Sequence, residues 1–214
     1  MCGRYELKAK ARELNRYFPP LHLGQGDIPP RGELHPTDPV LMITGNPEGY
    51  LGSTARWGLV GSFLDHEPRT PLINLCSEGL ASKPFYSKIL KRNRCLIPAT
   101  AFYEWQSLAD RKQKMRISHA TGETLMFAGI FDHHPLAGTT CAILTTAANV
   151  TVSRIHPRMP ILLGRDESSF WLAEHAEFPD TEFEVMLQNP ARFPLSIEAV
   201  IEEAPSPQLS LGFG

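Results

Sequence analysis

The chain has 214 residues, 42% hydrophobic and 21% charged, with a formal net charge of −2 and a pI near 6.4. These values describe an ordinary globular chain with room for one large core, excluding a low-complexity class; its bulk charge does not advertise a polyanionic partner. No apolar stretch approaches bilayer length, and Arg4, Glu6, Lys8 and Lys10 interrupt any apolar run at the start, so neither a membrane span nor a signal peptide is expected. A cytoplasmic monomer is the expectation. Cys2, Cys76, Cys95 and Cys141 are widely spaced with no C-x-x-C pair, which argues against a zinc ribbon or a redox motif. Cys95 and Cys141 lie in apolar runs and are expected in the core.

Leu7, Ala11, Leu14 and Phe18 recur at helical spacing, predicting a helix from about Lys8 to Phe18 stopped by Pro19-Pro20. Residues 19–39, rich in Pro and Gly, are expected to form a long ordered loop. Val40–Thr44 and Arg56–Val60 read as strands, followed by a helix over Pro84–Arg92 with Phe85 and Ile89 on one face. Strands then come quickly: Cys95–Ile97, Phe102–Trp105, Met115–Ser118, Leu125–Phe131, Cys141–Thr146 and Met159–Leu163. Helices are expected near Glu167–Glu174 and Thr181–Leu187, with a last strand near Leu195–Val200 and a mobile tail over 205–214. Many short strands, irregular connections and few helices predict a single compact α+β domain around a curved mixed sheet. There is no Rossmann fingerprint or P-loop, and neither a metal nor an organic cofactor is expected.

Charge is unevenly spread. Nine bases and two acids lie between Lys83 and Arg116, and ten acids with one base between Asp166 and Glu203. A basic middle can hold an anionic polymer, although solvated helix and turn faces would read the same way.

Four segments could carry chemistry, and each has a plain structural alternative. Removal of Met1 would leave an α-amine and a thiol on Cys2, with ordinary pKa values of about 7.7–8.0 and 8.5. The amine can attack an aldehyde to give a Schiff base, and the thiol can close onto the imine carbon as a thiazolidine. The alternative is a frayed Met-Cys start. In Phe102-Tyr103-Glu104-Trp105, strand alternation puts Phe102 and Glu104 on one face and Tyr103 and Trp105 on the other. Buried among aromatics, Glu104 would have a raised pKa suited to proton transfer; otherwise it faces water. His156-Pro157-Arg158-Met159-Pro160 offers an acid–base group beside a rigidly framed Arg, or an isolated structural His. Asn74 would hold a sugar hydroxyl or cap a turn.

Taken together and in order, these segments resemble the SRAP family (SOS-response-associated peptidase, or abasic-site shield proteins). The matching pieces are Met1-Cys2-Gly3-Arg4, Arg56-Trp57-Gly58-Leu59, Asn74 with Ser77-Glu78, Arg94-Cys95-Leu96-Ile97-Pro98, Phe102-Tyr103-Glu104-Trp105, and His156 with Arg158-Met159-Pro160. The resemblance implies one domain over residues 1–204, with an open barrel-like core and a few peripheral helices. It implies covalent capture of abasic sites in single-stranded DNA, at or near junctions with duplex, within a DNA-damage (SOS) response. Cys2 would be the nucleophile, Asn74 would position amine and sugar, Glu104 would shuttle protons, and His156 would help open the sugar ring. Arg4, Arg56, Trp57, Trp105 and Arg158 would contact phosphates or stack on bases. Autoproteolytic peptidase and AP-lyase activities are also implied. Two departures stand out. Cys76 occupies a position where the family usually carries Arg, which predicts weaker, less salt-dependent DNA binding, with Lys83 or Arg94 as candidate replacements. Glu33 puts a negative charge near the phosphate path. A thiol peptidase built on Cys2, His156 and Glu104, and a non-catalytic single-strand-binding module, are the competing functions.

Overall fold

A computed structural model describes residues 2–23, 31–173, 185–187, 191 and 193–201. The N-terminal third comprises β1 (Arg4–Leu7), α1 (Ala11–Tyr17), β2 (Leu21–Leu23), β3 (Arg31–Leu34), β4 (Pro39–Asn46), β5 (Gly49–Trp57) and β6 (Asn74–Cys76). The middle comprises α2 (Pro84–Arg92), β7 (Arg94–Ala99), β8 (Ala101–Ser107), β9 (Lys112–His119), β10 (Leu125–His134) and β11 (Gly138–Ala147). After a 3₁₀ turn at Val152–Arg154 come β12 (Arg158–Pro160), β13 (Leu162–Leu163), α3 (Arg165–Leu172) and β14 (Leu195–Ala199).

Five strands close into a barrel. β5, β4, β7, β10 and β11 pair antiparallel in that order, and β11 returns to β5 in parallel through Thr140 opposite Arg56 and Cys141 opposite Trp57. Ile43, Leu96, Ile97, Phe127 and Ile143 are fully buried. Each such side chain contributes about 1.5–3 kcal/mol of hydrophobic stabilisation as an upper bound. Strand packing leaves no space at Gly129, where a Cβ would stand 3.0 Å from Cys95 Sγ and 3.2 Å from the Ala142 carbonyl.

A second sheet, ordered β14-β9-β8-β1-β3 and antiparallel throughout, packs against the barrel. Strand alternation gives it two unlike faces. Tyr5, Phe102 and Ile117 point inward and are fully buried, with the Tyr5 ring edge-on to Trp57 at 5.2 Å and to Phe127 at 5.6 Å. Arg4, Tyr103, Trp105, Lys114 and Arg116 make up the opposite, polar face; Arg4 lies opposite Tyr103, and Trp105 opposite Lys114.

The helices are peripheral. Helix α2 starts with Pro84 at its first turn and ends with Lys91 and Arg92, whose charges suit the helix dipole. Ile89 and Leu90 are its buried residues, while Phe85 packs more loosely.

The α+β single-domain expectation agrees with this architecture, but several elements differ. The loop expected over 19–39 contains β2 and β3, which exist because they pair with β5 and β1, partners distant in sequence. The strand expected at Arg56–Val60 is the end of β5, and Gly58, at φ +144, turns the chain out of it. Met159–Leu163 is two strands with different partners, β11 and β10. Helix α3 begins at Arg165, two residues earlier than expected. The tail over 205–214 and most of the helix expected at Thr181–Leu187 lie outside the described residues.

Candidate functional site

Cys2 lies two residues before β1, a strand of the five-stranded sheet, and its side chain is fully buried. Its thiol donates weakly to the Arg4 carbonyl at 3.5 Å. Burial, reinforced by the negative charge of Glu104, pushes the thiol pKa well above its ordinary value. A thiol held in its neutral form is a poor nucleophile.

Asn74 fixes the Cys2 backbone. It sits on β6, which pairs in parallel with β11 through Ile143, and its Nδ2 donates to the Cys2 carbonyl at 2.7 Å. Its Oδ1 is buried and accepts no hydrogen bond among the described residues. Leaving such an acceptor unsatisfied costs about 1–3 kcal/mol, which marks a place where a donor is wanted.

Glu104 is on the inward face of β8, 3% exposed. Burial raises its pKa above the usual carboxylate value, while the positive charges of the chain terminus and His156 act the other way and fall short. Strand alternation was legible here: Phe102 and Glu104 do share the core-facing side. His156 follows the 3₁₀ turn, and its Nδ1 lies 4.0 Å from Glu104 Oε1. The Arg158 backbone N–H donates to that same Nδ1 at 3.0 Å. The Arg158 carbonyl oxygen lies 3.0 Å from the same ring nitrogen. The structure thus brings Cys2, Asn74, Glu104 and His156 together at the seam between barrel and sheet.

The candidate DNA-binding residues divide. Arg4 and Trp105 are on the polar face, with the Arg4 guanidinium 5.3 Å above the half-buried Trp105 ring. Trp57 is different: it is fully buried and its indole N–H donates to the Ile73 carbonyl at 3.0 Å. No face of Trp57 is offered to a base, so its expected stacking role is corrected to support of Tyr5 and the start of β1. Arg56 is paired with Glu67 at 2.8 Å. Arg158 makes a bidentate pair with Glu78, at 2.7 and 2.8 Å, and donates to the Thr145 carbonyl at 2.8 Å.

Cys76 is exposed and lies opposite Thr145. Arg94 cannot stand in for the missing family Arg: it is 7% exposed and donates to the carbonyls of Trp171, Leu90, Lys91 and Ala173 at 2.6–2.9 Å. Desolvation lowers its pKa to about 10. Sequence reading also missed Glu78 as the clamp on Arg158, and Lys114 as a neighbour of Trp105. Only the register of the β8–β9 hairpin could have signalled Lys114.

This combination defines a class, an α+β barrel protein whose second residue, a cysteine, is held beside a buried carboxylate and a histidine. The profile of the SOS response associated peptidase (SRAP) family matches residues 1–204, and the chain belongs to that family. It is similar to the Bacillus subtilis abasic site processing protein YoaM, 31% identical over 193 residues that cover 84% of this chain and 82% of the relative. The Escherichia coli abasic site processing protein YedK is 25% identical, covering 81% and 80%. Among solved structures, a Bacteroides thetaiotaomicron protein superposes with a TM-score of 0.78 at 20% identity, covering 94% of this chain and 92% of that one, a likeness of fold.

Proposed function

We propose that this chain processes abasic sites in DNA, capturing them covalently through Cys2 once Met1 has been removed. The observation that carries the reading is the pairing of a neutral Cys2 thiol with a buried carboxyl of raised pKa, next to a carbonyl clamped by Asn74. Relatives that bear the name abasic site processing protein support the choice of substrate.

The chemistry proceeds amine first. The α-amine of Cys2 adds to the C1 aldehyde of the ring-opened sugar, giving a carbinolamine. Glu104 takes the proton released by the attacking nitrogen and returns it to the departing hydroxyl, so that water leaves and a Schiff base forms. The thiol sulfur then adds to the imine carbon while its proton passes to nitrogen, closing the thiazolidine. The net reaction joins aldehyde and aminothiol with loss of one water. In this reading Asn74 Oδ1 accepts a hydrogen bond from the amine or a sugar hydroxyl, and His156 handles the sugar oxygen. A thiolate-first peptidase is disfavoured by the upward shift of the Cys2 thiol.

The test is a denaturing gel of Met-processed protein mixed with single-stranded DNA bearing one abasic site. A shifted band is expected with abasic DNA, and none with intact DNA, with Cys2→Ser, or with a residue retained before Cys2. Undiminished capture by Cys2→Ser would falsify the chemistry. Absence of any band from protein with a confirmed free Cys2 would move the peptidase and binding-module readings ahead.

A further inference from the structure

The polar face of the five-stranded sheet holds a charge cluster that the capture chemistry does not use. Glu33, on the edge strand β3, divides its two carboxylate oxygens between two cations. Oε1 is 3.0 Å from Arg4 Nη1, and Oε2 is 2.7 Å from Lys114 Nζ. His35 Nε2 stands 3.7 Å from Oε1. The cations lie over aromatic rings, Arg4 above Trp105 at 5.3 Å and Lys114 above Tyr103 at 4.4 Å. Side-chain exposure is 43% for Arg4, 25% for Glu33 and 12% for Lys114. Lys114 is therefore a largely desolvated ammonium whose charge is met, among the described residues, by the Glu33 carboxylate.

One central atom with two oxygens, one facing a guanidinium and the other an ammonium, is also how a phosphodiester presents its two non-bridging oxygens. Carboxylate and phosphodiester each carry a single negative charge, so exchanging one for the other leaves the local balance unchanged. The cluster adjoins the capture site through the chain itself. Arg4 lies two residues after Cys2, roughly 7 Å of extended strand, and Trp105 directly follows Glu104. The two sites are thus neighbours along the chain, with the cluster on the polar face of β8 and Glu104 on its inward face.

We propose that Arg4 and Lys114 form a phosphate subsite for the DNA strand, and that Glu33 is its internal competitor, a carboxylate that the phosphodiester displaces. The inference rests on the DNA-binding reading above and adds Lys114 to the residues that hold the strand. Glu33 holds both cations in ion pairs in the free protein. The same contacts must be broken before they can serve a phosphate, so Glu33 sets affinity downward and screens against casual anions.

The experiment is a titration of intact single-stranded DNA, read by fluorescence anisotropy at low and at high salt, using Met-processed protein. Glu33→Gln keeps shape and removes the charge. It is expected to bind roughly tenfold tighter at low salt, the worth of two part-exposed ion pairs that no longer need breaking, with the gain shrinking as salt screens them. Lys114→Gln should weaken binding more in the Glu33→Gln background than in the wild type, because only there is the ammonium released from its carboxylate. Glu198→Gln removes one charge near Arg116 on the same sheet, outside the cluster, and is expected to give no comparable gain. Thermal melts confirm folding, and Glu33→Asp, too short to reach both cations, serves as a second variant with a smaller gain. Equal or weaker binding by Glu33→Gln, alongside normal capture of abasic DNA by the wild type, overturns the competitor role and leaves the capture reading standing; a matching gain from Glu198→Gln does the same. Absence of both binding and capture in every variant overturns both.

Discussion

Glu6 and Glu104 stand on adjacent strands of one sheet, with side-chain exposures of only 1% and 4%, and the protein pushes them in opposite directions. Burial would raise both. At Glu6, on β1, that tendency is outweighed by hydrogen bonds from Arg116, Lys8 and Tyr103, so its pKa falls below the ordinary value. Arg116 reaches it at 2.5 and 3.1 Å, Lys8 at 3.0 Å and the Tyr103 hydroxyl at 2.8 Å. At Glu104 burial wins over the chain terminus and a His156 ring 4.0 Å away. Carboxylates with equal access to water thus acquire different chemistries from their donors: Glu6 is a permanent anion that ties strands together, and Glu104 is a carboxyl able to hold and release a proton.

The largest expected effect separates them by rate. Glu104→Gln should slow covalent capture by about 10²–10⁴-fold, the usual worth of a general acid–base group, while Glu6→Gln stays within a few-fold of the wild type. Single-turnover gels decide it, and equal slowing in both variants would break the contrast by making sheet integrity the common cause. Stability should reverse the order. Glu6→Gln is expected to lose about 2 kcal/mol in urea melts at neutral pH, discounted for the part-exposed Arg116 and Lys8, whereas Glu104→Gln should be as stable as the wild type or more so.

The pH dependence sharpens the same pair. The folded pKa of Glu6 lies below its unfolded value of about 4.3, so its contribution is complete above that value and is lost as pH falls through the folded pKa. Glu104 has the opposite sign. Its folded pKa lies above the unfolded one, so the wild type loses stability as pH climbs from the unfolded to the folded value, and the advantage of Glu104→Gln should appear over that interval. Melts at stepped pH that show parallel curves for both variants would contradict these assignments.

The smallest expected effects concern the two tryptophans. Trp105→Ala should weaken single-stranded DNA binding by about 1 kcal/mol with little change in melting temperature. Trp57→Phe should instead destabilise the fold by about 1 kcal/mol, through the lost bond to the Ile73 carbonyl, and leave DNA affinity alone. A DNA effect from Trp57→Phe that exceeds its stability effect would reopen Trp57 as a contact.

Local patterns made much of this molecule legible. Helix α2 announces itself by Pro84 and a basic last turn, and β8 by an alternation that put Glu104 on the core side. Strand β5 was mostly hidden, because Gly49-Tyr50-Leu51-Gly52-Ser53 is weak in intrinsic strand preference. It forms because β4 and β2 supply hydrogen-bonding edges on both sides. Arg94 looked like a spare cation, yet it is spent on four backbone carbonyls, contacts that no spacing rule encodes.

The order of residue types along the chain, by itself, determined that the protein is a single α+β domain of the SRAP family, and that Cys2, Asn74, Glu104 and His156 deserve attention together. Chemical identity is local, so an aminothiol, a carboxyl and an imidazole can be read wherever they occur. What each group does was decided by tertiary structure, since charge state and accessibility depend on neighbours far off in sequence, 110 positions away in the case of Glu6 and Arg116. Only folding turned Trp57 inward and Trp105 outward, clamped Arg158 onto Glu78, and set the Glu33 carboxylate between Arg4 and Lys114. The physical reason is that burial and pairing act through space, at distances of a few ångströms that sequence separation does not measure.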